Sequence, residues 1–258
     1  MSLVSVIMPA YNAEKTIAKS IDSVLSQTFV DWEFIIVNDM STDNTAKVVE
    51  SFIKNGHPIK LITNKKNIGV AATRNIAISH ATGKYVAFLD SDDVWHRDKL
   101  LRHMAFLKKT NGKISFTATK YINEMGKVSS YTLPAKSRLY YRDLLKANSM
   151  SCSSVVACRK LVMRYPFQRG NLHEDYLTWL QALKEVGCAY GLNEPLLMYR
   201  MVKGSRSSNR VESAKMLYRT YCALGYSSCM SFMLTIRYAL GSISKRAKIK
   251  RISSIVGL

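Results

Sequence analysis

The 258 residues carry 38 Lys and Arg against 18 Asp and Glu, a formal net charge of +20, and 47% of them are apolar. This fits one α/β domain with an appendage, a sizeable core, and an anionic partner such as a nucleotide, a nucleic acid or a membrane surface. Five cysteines with no CxxC pair argue against a disulfide framework and a zinc site, and no apolar stretch approaches the ~20 residues of a membrane span. The opening, MSLVSVIMPAYN, lacks a basic leader and reads as a strand over 3–8 ending at Pro9, so no signal peptide is expected. A helix with Ile17, Ile21, Val24 and Leu25 on one face follows. The strand EFIIV (33–37) leads through a polar turn to a helix over 45–55, and a strand over 59–63 leads to an Ala-rich helix ending near 80. Thr82-Gly83 then turns the chain into a strand over 84–89. This β-α-β-α-β-α-β alternation predicts a doubly wound, mainly parallel sheet flanked by helices, with sites at the strand C-termini. Beyond Asp93 the pattern loosens. Helices are expected at 97–109, 140–147 and 173–186, and strands at 114–119, 153–159 and 196–200. A turn is expected at 124–127 and a Gly/Ser loop at 203–209. Residues 210–258 read as a helical, basic segment.

The stretch YVAFLDSDDVW (85–95) drives an apolar strand into three carboxylates, Asp90, Asp92 and Asp93. A helix start would suit Asp93. It suits three acids poorly, because like charges this close destabilise one another. A divalent cation, Mn²⁺ or Mg²⁺, resolves the conflict, since such ions take one or two carboxylates together with substrate phosphates.

The Asp90–Asp92 pair resembles the DxD motif of glycosyltransferases with the GT-A fold. VSVIMPAYNAEKTIAKSIDSVLSQT, FIIVNDMSTDNT, NKKNIGVAATRN and GKYVAFLDSDD together resemble family 2 of the inverting glycosyltransferases, over about residues 3 to 200. The resemblance implies a GT-A catalytic domain over 1–209. Its nucleotide-binding half would be 1–93, its acceptor half and lid loop 94–209, and a helical extension would follow at 210–258. It points to Pro9, Tyr11, Glu14 and Asp39 around the nucleobase. Tyr11 could stack on a flat base and Asp39 could accept from an N–H of uracil. The turn often reads Asp-Asp-Gly/Ser in this family, whereas here it is Asn38-Asp39-Met40. Lys65, Asn67, Gly69 and Arg74 would face the nucleotide-sugar: Gly69 permits close backbone approach, and Arg74 offers a forked cation. Asp92 would chiefly hold the metal, with Asp90 reaching the metal or the ribose and Ser91 beside them. In NLHEDYLTWL (171–180), Asn171 reads as an N-cap with two acids in the first helical turn. The resemblance makes Asp175 the general base, ionised at neutral pH by the helix N-terminus, with Glu174 and Asp93 as acceptor contacts or alternative bases. Arg206 and Ser207, in a segment with Arg200, Lys203 and Arg210, would belong to a lid over the pyrophosphate.

The implied reaction moves a sugar from a nucleotide-sugar, a UDP-sugar first, to a hydroxyl of a glycan or lipid-linked acceptor in cell-envelope polysaccharide synthesis. The apolar-then-basic order of 226–251 suggests peripheral contact with an anionic membrane, at the cytoplasmic face of the inner membrane; a homodimer would use the same apolar surface. Two other classes compete. A nucleotidyltransferase-type enzyme would share the sheet, but no P-loop or GxGxxG is present. A basic nucleic-acid-binding module should interleave aromatics with cations on one surface, whereas here Phe88 and Trp95 flank acids, so no nucleic-acid partner is expected.

Overall fold

The computed structural model describes residues 2–201 and 209–241. In chain order the elements are β1 (Val4–Ala10), α1 (Ile17–Leu25), β2 (Trp32–Asn38), α2 (Thr45–Lys54), β3 (Ile59–Thr63), α3 (Val70–His80), β4 (Tyr85–Phe88), β5 (Val94–Trp95) and α4 (Lys99–Thr110). There follow β6 (Ile114–Ile122), β7 (Val128–Leu133), β8 (Arg138–Tyr140), α5 (Tyr141–Lys146), β9 (Val155–Cys158), α6 (Arg159–Arg164), α7 (Glu174–Val186), β10 (Cys188–Arg200) and α8 (Arg210–Ala223). A further helix, α9, covers 228–241.

One mixed sheet runs β3-β2-β1-β4-β9-β6-β10-β5, with β7 on β6 and β8 on β10. β3, β2, β1 and β4 are mutually parallel, β9 is antiparallel to both β4 and β6, and β10 is parallel to β6. The central strands are buried on both faces, which is why they read as continuous apolar runs. Their two-residue period divides the core. Ile7, Ile35, Val37 and Phe88 face one way, in a cluster with Leu180 and Leu183 of α7. Val6, Met8, Phe34 and Ile36 face the other, with Ile17 and Ile21 of α1 and Leu100 of α4. The Thr82-Gly83 turn presses on β1: a Cβ at Gly83 would lie 2.7 Å from the Ser5 nitrogen.

The first half follows the expected alternation closely. The second half departs from it in several places, and β8 and α6 are not announced by the pattern at all. β10 is one strand of 13 residues where only 196–200 is expected, because Asn193, Glu194 and Pro195 interrupt the apolar pattern and the ladder to β6 shifts register there. The turn at 124–127 belongs to a hairpin whose second strand, β7, is too polar to stand out. The three acids do not begin a helix. They lead into β5, and α4 starts only at Lys99.

The C-terminal helices are seated on α5, the stretch after it, and α7. Asn209 caps α8, its side chain accepting from the Val211 and Glu212 N–H groups. Tyrosines do most of the fastening. The Tyr221 hydroxyl donates to the Leu145 carbonyl and lies 3.2 Å from that of Tyr176, and the Tyr141 and Tyr226 hydroxyls are 2.9 Å apart. Tyr238 of α9 accepts from the Asn148 N–H at 3.3 Å.

Candidate active site

The parallel strands deliver their C-terminal ends to one rim. The β1 turn (11–14) and the β2 turn (39–44) clasp each other there. Asn12 accepts from the Thr42 N–H, the Glu14 N–H donates to Asp43, and Glu14 Oε2 accepts from Asn44 at 3.0 and 3.1 Å. Glu14 is therefore a staple between turns. Asn12 and Met40 adopt left-handed backbone at φ 47° and 58°. Met40 stands where the family pattern often has glycine, in a conformation that costs a side-chain residue of order 1 kcal/mol. Pro9 is buried at the end of β1, while the Tyr11 ring is 50% exposed at the rim.

Asp39 is only 3% exposed. Its Oδ1 accepts from Asn64 Nδ2 and the Ile68 N–H, and its Oδ2 from the Gly69 N–H at 2.8 Å. It thus fastens the NKKNIG loop at the N-terminus of α3, where a carboxylate is favoured. Gly69 itself has φ 83°, a backbone that suits glycine, and Lys65 and Asn67 are exposed beside it. A cleft of about 470 Å³ opens there, bounded by this loop, by Arg169 and Gly170, and by Glu174.

Arg74 sits at the centre of the site. Its Nη2 lies 2.6 Å from Asp90 Oδ1 and its Nη1 3.2 Å from Glu174 Oε1, with both ends of the guanidinium buried. The same guanidinium lies over the Phe167 ring, and neighbouring Asn75 pairs reciprocally with the Phe167 backbone at 2.7 and 3.0 Å. Two acidic clusters 84 residues apart in sequence (Asp90 and Glu174) are therefore held together by one side chain of α3. The forked cation expected to touch the nucleotide is engaged within the chain. Arg74→Met would leave two carboxylates facing each other without their cation. A loss of about 3–5 kcal/mol in stability is expected by denaturant titration, with Arg74→Lys intermediate because a single ammonium cannot fork.

The three acids after β4 differ in environment. Asp90 has Arg74 and donates its own N–H to Ser153 Oγ at 3.0 Å. Asp92 makes no comparable ion pair among the described residues; burial first, then the charge of Asp90, push its carboxyl up to about 6. Asp93 is 1% exposed, and its Oδ1 accepts from the Arg200 N–H at 2.9 Å. Burial, then Asp92 and Asp90, push it well above the usual range. Asp93 faces inward, so its expected part as acceptor contact or base does not fit. It ties the turn to β10. Arg200 completes that tie, donating to the carbonyls of Asp92, Asn123 and Glu124 at 2.8, 3.0 and 3.1 Å. It is a clamp rather than part of a lid. Ser91 offers its carbonyl to Thr16 Oγ1.

At the start of α7 no side chain caps the helix, and the N-cap position is His173 rather than Asn171. Glu174 is 6% exposed and paired with Arg74. Asp175 is less buried, with Oδ1 accepting from the Tyr176 N–H. Burial, then Glu174, push its carboxyl up, with Arg74 and His173 opposing. The helix N-terminus was expected to keep it low; desolvation overrides that effect. His173 is held by α8 through the Thr220 hydroxyl and the Ser213 carbonyl.

Two residues were missed from sequence. Burial raises the Tyr199 phenol, and so do the charges of Asp93, Asp90, Asp92 and Asp175. Burial raises the Cys152 thiol, against Arg74 and with Asp90, Asp175 and Glu174. Both groups thus feel the charges of both acidic clusters; Tyr199 lies in β10 and Cys152 opens a short 3-10 turn before β9, and neither stretch carries a motif. Arg206 and Ser207 lie outside the described residues.

The donor set suits a divalent cation in a limited way. Asp92 and Asp90 present excess negative charge at the rim, and no gathering of three or more His, Cys, Asp and Glu side chains exists among the described residues. A cation there would need oxygens from a bound phosphate group, which is the usual habit of Mg²⁺.

Comparison with known proteins agrees with this architecture. Residues 5–170 match the model of Glycosyl transferase family 2. The chain is 36% identical over 245 residues to a putative teichuronic acid biosynthesis glycosyltransferase, TuaG of Bacillus subtilis, covering 95% of this chain and 97% of that one. It is 38% identical over 219 residues to the Escherichia coli UDP-Glc:alpha-D-GlcNAc-diphosphoundecaprenol beta-1,3-glucosyltransferase WfgD, covering 83% of each. Among solved structures, S. aureus TarS 1–349 in complex with UDP-GlcNAc superposes with a TM-score of 0.73 at 21% identity, over 95% of this chain and 73% of that one, a likeness of fold. With its strand-end acids, its GT-A sheet and these relatives, the chain belongs to glycosyl transferase family 2 and is a glycosyltransferase.

Proposed function

We propose that the protein transfers a sugar from a UDP-sugar to a hydroxyl of a lipid-linked glycan, with inversion at the anomeric carbon, in the synthesis of a cell-envelope polysaccharide. The observation that carries this reading is the Arg74 bridge, which sets a donor-side acid, Asp90, beside the acids at the start of α7. The donor and acceptor classes are supported by WfgD, whose name gives both a UDP-sugar and a diphosphoundecaprenol-linked acceptor.

In this reading the exposed Tyr11 ring stacks on the base. Asp39 fixes the loop that faces it, and Oδ2, with one donor, keeps capacity for a base N–H. Lys65, Asn67, Gly69 and Ser91 line the donor side, and Arg206 and Ser207, outside the described residues, would supply a cation and a hydroxyl to the diphosphate. Asp92, with Asp90, would hold Mn²⁺ or Mg²⁺, which when bound would neutralise the departing diphosphate. Asp175 takes the proton of the acceptor hydroxyl as its oxygen attacks from the face opposite the nucleotide. Its raised carboxyl is a stronger base than an ordinary aspartate. Glu174 and Arg74 set its position. The catalytic unit is 1–209, with 1–93 binding the nucleotide and 94–209 the acceptor, and 210–258 is an extension. That extension supports contact with the cytoplasmic face of a membrane through 226–251, a homodimer being the competing use of the same surface.

The test is a panel of nucleotide-sugars, read by thermal stabilisation and by UDP release with and without Mn²⁺. A UDP-sugar should stabilise the chain and be turned over only with the divalent ion. Release of UMP, or stabilisation by no nucleotide-sugar, would count against the proposal.

A further inference from the structure

α9 carries apolar side chains on its outward side as well as its inward one. On the side that meets the rest of the fold, Leu234 and Tyr238 pack on the core, Ser231 is fully buried, and the Tyr238 hydroxyl accepts from the Asn148 N–H. Its outward side carries Met230, Phe232, Met233, Ile236 and Leu240, all exposed, with Phe232 at 60% and Leu240 at 65%. Residues 232, 233, 236 and 240 recur at helical spacing and form one stripe. Large apolar side chains gathered on a solvent-facing stripe point to a partner that removes them from water. Charge identifies that partner. Beyond Glu212 the sequence contains no Asp or Glu, while Lys and Arg occur eight times, among them Lys215, Arg219 and Arg237 within the described helices. An apolar stripe in an acid-free, cationic segment fits a surface that is apolar beneath and anionic at its headgroups.

We propose that the outward face of α9 is a docking surface for anionic lipid, lying in the interface plane with Phe232 and Ile236 inserted. This deepens the membrane contact proposed above and rests on that reading. The docking helix also bears on the site. α9 follows α8 directly, and α8 holds His173 beside Glu174 and Asp175 through Thr220 and Ser213. Docking would therefore bring the acceptor-side carboxylates toward the lipid surface on which a lipid-linked acceptor is displayed. No described helix is long and apolar enough to cross the membrane, so the contact is peripheral in kind.

The test uses the full chain with vesicles of phosphatidylglycerol and phosphatidylethanolamine, and of phosphatidylcholine alone. It compares the native protein with the double variant Phe232→Ser, Ile236→Ser and with Met163→Ser, an exposed apolar control on α6. Co-sedimentation should be strong only with the anionic vesicles and should weaken in high salt. The double variant should bind at least about tenfold more weakly, and Met163→Ser should bind as the native chain does. Melting temperature and UDP binding, measured on the same samples, should be unchanged, so that loss of docking is distinguished from loss of the fold or failure of the transferase reading. Equal vesicle binding by native and double-variant chains would overturn the proposal. So would a native dimer, seen by light scattering, that the double variant dissolves, because a second copy would then cover the stripe.

Discussion

Asp92→Asn should reduce transfer by about 10²–10³-fold or more, while leaving a fold at least as stable as the native one. The two effects have one cause. Burial and the neighbouring Asp90 hold the Asp92 carboxyl at about 6, so its charged form is disfavoured in the folded chain at neutral pH. Asn keeps the shape and removes the charge. The pH dependence follows with a definite sign. Between an ordinary carboxylate value near ~4 and the folded value near 6, the folded state binds more protons than the unfolded one. Stability of the metal-free native protein should therefore rise, relative to Asp92→Asn, as pH falls from about 7 toward about 4, and level off below. Mn²⁺ should act in the opposite direction, stabilising the native chain more as pH rises through that window and leaving the variant unmoved. Thermal melts of both proteins across pH, with and without Mn²⁺, check all of this. A variant that Mn²⁺ still stabilises would remove Asp92 from the metal site.

Asp175→Asn should lower turnover by about 10²–10⁴-fold with UDP affinity nearly unchanged. If Asp175 were only a helix-start acid, the same change would cost little activity, and little stability either, because burial already disfavours its charge. Glu174→Gln should behave differently. Its carboxylate is engaged by Arg74, so Gln keeps a hydrogen bond but removes one of two charges balancing a buried guanidinium. A fall in melting temperature is expected, corresponding to about 1–3 kcal/mol, with a smaller loss of turnover than for Asp175→Asn. The acid limb of the native pH–rate profile should lie above the ordinary carboxylate range, because burial and Glu174 raise Asp175. If Glu174→Gln is the inactive variant and Asp175→Asn is not, the base is one residue earlier.

The first half of the fold was readable because its parallel strands, buried on both faces, print as unbroken apolar runs between helices of clear period. The second half was harder for physical reasons. Pro195 and a register shift hide the first two-thirds of β10, and β7, half-exposed, has no apolar alternation to show. The site divides in the same way. The acids of YVAFLDSDDVW and NLHEDYLTWL are visible as residue types, but their environments are not. That Asp93 turns inward to the Arg200 N–H, or that Asp39 is taken by the Ile68 and Gly69 N–H groups, depends on backbone donors that sequence does not display. Arg74 illustrates the limit best: its forked cation was visible in the sequence, but its partners 16 and 100 residues away were not.

The most direct test of inverting transfer is the anomeric configuration of the product. The protein should be incubated with a UDP-α-sugar that it turns over, Mn²⁺ and a lipid-diphosphate-linked sugar acceptor, and the new linkage read by NMR. Inverting transfer with Asp175 as base predicts a β-linkage, formed in step with release of one UDP per sugar and lost in Asp175→Asn. An α-linked product, or a β-linked product formed at the native rate by Asp175→Asn, would contradict it.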